Sequence, residues 1–194
     1  MKNRQPFIDI FLEKNKQINL SAIRDPEGVF AKHIQDSLEV NTILTFPKGV
    51  QVADIGTGGG FPLMPLAITN PQVHFTGIDS IKKKTVAVND MLQSLHITNA
   101  KVICSRIEEL KGQSFDIITA RAVAHVEKLI PRSYHLLKKG GKLILMKQAL
   151  KEEKTELDQL CKKFHLQLEN QHHYSLFEGD IERVIYVIEK LKKD

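Results

Sequence analysis

Cysteine is scarce. Cys104 and Cys161 are the only two in 194 residues, and neither belongs to a Cys-x-x-Cys pair. That excludes a disulfide scaffold and a cysteine zinc site. Cys104 lies in an apolar run and Cys161 in a helical one, so both are expected as buried, reduced thiols, which suits the cytoplasm. Long apolar stretches are lacking too. None approaches the roughly 20 residues of a membrane span, and residues 1–6 carry no apolar signal-peptide core, so no membrane is expected as a partner. Both common phosphate motifs are missing. The dinucleotide fingerprint G-x-G-x-x-G needs a glycine where Phe61 stands, and no G-x-x-x-x-G-K-[ST] occurs. Repeats, low-complexity segments and linkers are absent, so one domain is expected.

What is present is ordinary in bulk. Hydrophobic residues make up 42% and charged residues 26%, as in a globular protein with a full core. The net charge is +5 and the pI about 9.1. That balance fits a polyanionic partner and equally a lysine-rich solvated surface.

One stretch organises the chain. Val50, Val52, Ala53 and Ile55 form a short apolar run of the parallel-strand type. Glycines follow at 56, 58, 59 and 60, and then Leu63, Leu66, Ala67 and Ile68 at helical spacing. Strand, glycine turn and helix open a nucleotide-binding α/β domain. The glycines permit backbone angles that a Cβ resists and let a ligand approach bare backbone. Asp54, just before the turn, discourages a phosphate. The pattern favours an adenosine ligand without phosphates, and S-adenosylmethionine fits; the competing reading is a glycine-rich surface turn. Asp79 stands about 20 residues beyond the turn, where a Rossmann-type unit places the ribose carboxylate. It also suits a cap for the next helix.

Further elements follow in order. A short helix is expected at 7–14, a loop at 15–21, and a helix from Pro26 to about Leu44 capped by Asp25. Within that helix His33 shares a face with Asp36 and Ser37, as a site or as a solvated side. Strands are expected at 73–79, 100–104, 115–119, 142–146, 166–168 and 181–188. Helices are expected at 81–95, 126–137 (disturbed at Pro131) and 152–164. Lys82, Lys83 and Lys84 oppose the helix dipole, which raises a phosphate-facing role beside the plainer solvated one. Ser105 to Leu110 follow the third strand, where backbone and side chain can read an adenine. Arg121 lies between apolar neighbours at the end of the fourth strand, a costly place for an unpaired charge. Its loss is expected to affect activity far more than stability. Residues 138–141 read as a turn, and His172, His173 and Gly179 as a surface loop without metal-ligand spacing.

Four pieces together resemble the bacterial 16S rRNA guanine-N7 methyltransferase family, also called glucose-inhibited division protein B. They are residues 15–20 with Arg24-Asp25-Pro26; Lys32-His33-Ile34-Gln35-Asp36-Ser37; residues 54–62 with Asp79-Ser80; and residues 105–109 with Arg121-Ala122-Val123-Ala124. The resemblance implies a Rossmann-like class I S-adenosylmethionine-dependent methyltransferase. Its mostly parallel seven-stranded sheet would form residues 46–194, with a helical cap over residues 1–45. It implies cofactor contacts at Gly56, Phe61, Ile107, Glu108 and Arg121, beside Asp54, Gly58 and Asp79 from the turn itself. The implied target is one guanine of 16S rRNA in the 30S subunit, with His33, Asp36, Ser37 and Arg121 positioning the base. No metal is expected, and a monomer is. The sequence departs from the family at Leu63-Met64, in place of Gly-Ile, and at Gln148, in place of a glycine. Its N-terminus is about one helix short. Competing readings are a methyltransferase for another RNA or a small molecule, a dinucleotide oxidoreductase, and a non-catalytic rRNA-binding factor.

Overall fold

The structure, a computed structural model, describes residues 4–176 and 181–192. Helix α1 (Gln5–Ile18) is followed by the broken cap helix: α2 (Pro26–Val29), a π-helical turn (Phe30–Gln35), α3 (Asp36–Leu38) and α4 (Val40–Ile43). The core is β1 (Gln51–Ile55), α5 (Leu63–Thr69), β2 (His74–Asp79), α6 (Lys82–Ser94), β3 (Ala100–Cys104) and β4 (Phe115–Arg121), then α7 (Val126–Ser133), β5 (Leu137–Gln148), α8 (Lys151–Lys163), β6 (Leu166–Leu176) and β7 (Ile181–Lys190).

The seven strands form one sheet in the order β3-β2-β1-β4-β5-β7-β6. β1 to β5 are parallel, and β7 and β6 close the sheet antiparallel. Strand order reverses between β1 and β4, so the ligand crevice of an open sheet belongs at their carboxyl ends. Side chains alternate between two cores. Val52, Ile117 and Ile144 face α1, the cap, α5 and α6. Ala53, Ile118 and Leu145 face α7 and α8. This is the period-2 alternation of a sheet covered on both faces. Among the described residues no helix is long and apolar enough to cross a membrane.

The structure departs from the sequence expectations at several places. Helix α1 runs to Ile18 rather than stopping at residue 14 and ends on Asn19 in the left-handed region (φ 58). Asn15 is not a loop residue. It is buried in the last turns, donating to Ser21 O (3.0 Å) and Ile23 O (2.8 Å), and so fastens the following segment. Pro131 sits inside α7, which ends at Ser133 and passes into a single 3-10 turn over Tyr134–Leu136. Residues 138–141 belong to β5, where Gly140 takes φ +73 and a Cβ on Gly141 would stand 2.8 Å from Asp116 O. β6 extends to Leu176, so His172 and His173 lie in a strand; Gly179 is outside the described residues. Cys161 is buried but Cys104 is exposed, because β3 is the sheet edge.

Candidate active site

The glycine turn leaves β1 at the switch point. Gly56, Gly58 and Gly60 have φ of +65, +54 and +89, values that favour glycine. A Cβ at Gly58 would have only Gly56 O within reach, at 3.7 Å, so the backbone there is open to a ligand. At the end of neighbouring β2, Asp79 Oδ2 accepts from Gly58 N–H (3.0 Å) and Oδ1 from Ile81 N–H (2.9 Å). Asp79 does not cap α6, whose N-cap is Ile81 with no side-chain cap hydrogen bond; its carboxylate instead braces the turn and the Ile81 amide. A carboxylate has about four acceptor positions, so two remain for ribose hydroxyls. Ile81, 42% exposed, offers an apolar wall beside Asp79. Ile107 and the exposed Glu108 open the 3-10 turn that follows β3. Bare backbone, a half-open carboxylate and apolar sides fit an adenosine with a cationic tail and no phosphate.

Asp54 lies beneath this surface rather than on it. It is 1% exposed, and Oδ1 accepts from Thr119 Oγ1 (2.9 Å), its neighbour on β4. Burial pushes its carboxyl up to about 6, against the pull of the Thr57 and Thr119 hydroxyls and the Arg121 charge.

Arg121 ends β4 and ties the cap to the sheet. Nη1 donates to Asp36 Oδ2 and to Lys32 O, both at 2.9 Å, and Nη2 lies 3.1 Å from His33 Nδ1. Asp36 is not on a solvated face: it is 1% exposed. It also accepts from Tyr174 OH (2.6 Å) on β6 and from Arg183 Nε and Nη2 (3.3 Å each) on β7. Four segments remote in sequence thus meet at one carboxylate. The π-helical turn ends immediately before Asp36 and carries His33; such turns are frequent at functional sites. His33 stacks on Phe61 (4.6 Å, 22°), and Phe11 meets the same ring edge-on at 5.0 Å. Phe61 is therefore a buried wall between turn and cap rather than an open ligand platform. His33 Nδ1 faces both the Arg121 guanidinium and Lys32 O, each at 3.1 Å, and Nε2 lies 2.8 Å from Ser21 Oγ. Burial and the Arg121 charge push His33 down to about 4, which keeps it neutral at physiological pH. Ser37 is fully buried and donates to His33 O (2.6 Å); it braces the helix.

Tyr174 and Arg183 carry no sequence motif. Arg183 does share the signal that singles out Arg121, a charge at the mouth of an apolar strand. On the face of β6 that carries Tyr174, His172 pairs with Glu39 of the cap (2.8 Å). Among the described residues one group of metal-type ligands converges, His125, Glu127 and Glu156, within 4.8 Å. His125 and Glu156 there already form a half-exposed pair at 2.9 Å.

Residues 1–185 match the family model described as GidB, rRNA small subunit methyltransferase G. The chain belongs to this family. Its curated relatives include the ribosomal RNA small subunit methyltransferase G of Lysinibacillus sphaericus, 32% identical over 193 residues, covering 96% of this chain and 81% of that one. The Listeria monocytogenes relative is 32% identical over 199 residues, covering 100% and 84%. Among solved structures, an Aquifex aeolicus SAM-dependent methyltransferase shares the fold at TM-score 0.66 and 16% identity, covering 92% of this chain and 97% of that one. Both the class I fold and the family resemblance are thereby borne out. Proteins of this family are S-adenosylmethionine-dependent methyltransferases; here the glycine turn and Asp79 lie at the switch point, and the tie through Arg121 sets the cap against them.

Proposed function

We propose that the chain transfers a methyl group from S-adenosylmethionine to N7 of one guanine in the 16S rRNA of the small ribosomal subunit. The observation that carries this reading is the glycine turn at the switch point, open at Gly58 and backed by Asp79, in a chain of this family. When bound, S-adenosylmethionine supplies a methyl group on a positively charged sulfur. Guanine N7 holds a lone pair outside the aromatic system and loses no proton on attack. The new N–C bond forms as the C–S bond breaks, and the positive charge moves to the purine.

This chemistry needs position, not a base. The site agrees: His33 is neutral, and both its ring nitrogens are engaged. Arg121 is held by Asp36 and cannot fork onto O6 and N7, which would cover the attacking atom. It fixes the cap, and through Phe61 the wall of the turn. Lys82 and Lys83, exposed beside the seat, suit the phosphates of a large RNA. The test is transfer of labelled methyl to small subunits from cells lacking the modification. One methyl per subunit is expected, with borohydride and aniline cleaving the RNA at a single guanine. Absence of label, or label without cleavage, refutes the proposal.

A further inference from the structure

A second cleft opens beyond the turn, at the carboxyl ends of β4 and β5. It encloses about 270 Å³, and its walls include Ala122, Val123, His125, Lys147, Gln148 and Glu153. Val123 joins it to the glycine turn: its Cγ2 lies 2.6 Å from where a Cβ on Gly56 would stand. A base in this cleft therefore lies next to the cofactor seat, separated from it by one short segment.

The floor of the cleft is charged and buried. The side chains of Lys147 and Glu153 are 8% and 5% exposed, with Nζ 2.8 Å from Oε1. Lys147 donates to Ala124 O at 3.0 Å. Oε1 is ion-paired with Lys147 but has no hydrogen-bond partner among the described residues. A buried ion pair is favourable only where further donors satisfy its remaining lone pairs.

Guanine has such donors. Its Watson–Crick edge carries N1–H and N2–H side by side, a pair that one carboxylate accepts in parallel. O6, next to N1, accepts from an ammonium. We propose that this cleft holds the acceptor guanine, with Glu153 accepting from N1–H and N2–H and Lys147 donating to O6. The assignment rests on the N7-methylation reading and deepens it. Recognition by that edge leaves N7 uncovered. It also rejects adenine, whose N1 lone pair would face the Glu153 carboxylate and whose N6–H would face the Lys147 ammonium.

The test compares small subunits reconstituted with guanosine or with inosine at the target position. Inosine keeps N7, O6 and N1–H but lacks the N2 amino group. Wild-type kcat/KM is expected to be about 30-fold lower on inosine, because a site built to bond a donor rejects the analogue without it. Glu153→Gln is expected to lose about 30-fold or more on guanosine, to bring the two substrates within about threefold of each other, and to bind S-adenosylmethionine with wild-type calorimetric affinity. A role confined to anchoring α8 would lower both substrates alike and keep their ratio. That outcome overturns the assignment, as does a wild-type ratio near one, which is decisive even if the variant does not fold. Wild-type enzyme that binds S-adenosylmethionine yet leaves guanosine subunits unmethylated overturns the methyltransferase reading itself, and the cleft assignment falls with it.

Discussion

Neutralising Asp36 should destabilise the protein more than removing the charge of Arg121. Asp36 is the single carboxylate between two guanidinium groups, each only 12% exposed, at 2.9 Å from Arg121 and 3.3 Å from Arg183. Arg121→Gln removes one cation from this group and leaves a balanced Asp36–Arg183 pair, still bonded to Tyr174. The loss is then that of a charge-assisted hydrogen bond and its backbone partner, about 2 kcal/mol. Asp36→Asn keeps the shape but leaves two buried cations facing each other, a cost of about 4 kcal/mol. Urea unfolding followed by far-UV circular dichroism measures both. With a slope of about 2 kcal/mol per molar, the midpoints should fall by about 1 M and 2 M. The geometry thus revises the expectation that Arg121 serves activity far more than stability. If Arg121→Gln unfolds as early as Asp36→Asn, or neither shifts the midpoint, Asp36 is not the tie between cap and sheet.

Gly58→Asp should leave the fold intact, since φ +54 costs an aspartate about 1 kcal/mol and the space there is open. It should also weaken calorimetric binding of S-adenosylmethionine by more than about 100-fold, because a side chain would occupy the bare backbone; unchanged affinity counts against the turn as the seat. The pH dependence has two opposed parts. His33, held near 4 against 6.5 unfolded, contributes stability that is complete above pH 6.5 and lost as pH falls toward 4. Asp54, held near 6 against 3.8 unfolded, imposes a penalty that is complete above pH 6 and relieved as pH falls toward 3.8. Each amounts to about 3 kcal/mol, so Asp54→Asn should lose stability between pH 6.5 and 4 more steeply than wild type by about that amount; parallel urea midpoints across pH would refute this. Lys82→Ala and Lys83→Ala should each lower the logarithmic salt slope of subunit binding by about 1, whereas an unaltered slope removes them from the RNA path.

The glycine turn and the place of Asp79 at the end of β2 were legible in the sequence because local chemistry writes them. Glycines between an apolar run and a helix punctuate the chain sharply, and the distance to Asp79 follows from one βαβ unit. Edges were harder to read. β6 carries polar residues on both faces after Leu168, with a register shift before Asn170, so no alternation marks it as a strand. Cys104 sits in a strand that reads as buried but borders the sheet. A π-helical turn has no distinct side-chain period at this length, so the cap reads as continuous helix. Tyr174 and Arg183 reach Asp36 across 138 and 147 residues of chain. That meeting is set by the order β5-β7-β6, which spacing along the sequence cannot encode. Lys147 and Glu153 look like an ordinary strand end and helix start until β5 and α8 pack together.

Bare backbone at the carboxyl end of β1 should seat the methyl donor with its ribose on Asp79. A crystal structure of the protein soaked with S-adenosylmethionine tests it most directly. Both ribose hydroxyls should bond to the Asp79 carboxylate, the chain of the donor should run over Gly56 to Gly58, and its methyl group should point past Val123 toward the Lys147–Glu153 cleft. Donor density elsewhere, or none at the turn with Asp79 bonded only to Gly58 and Ile81, would refute this.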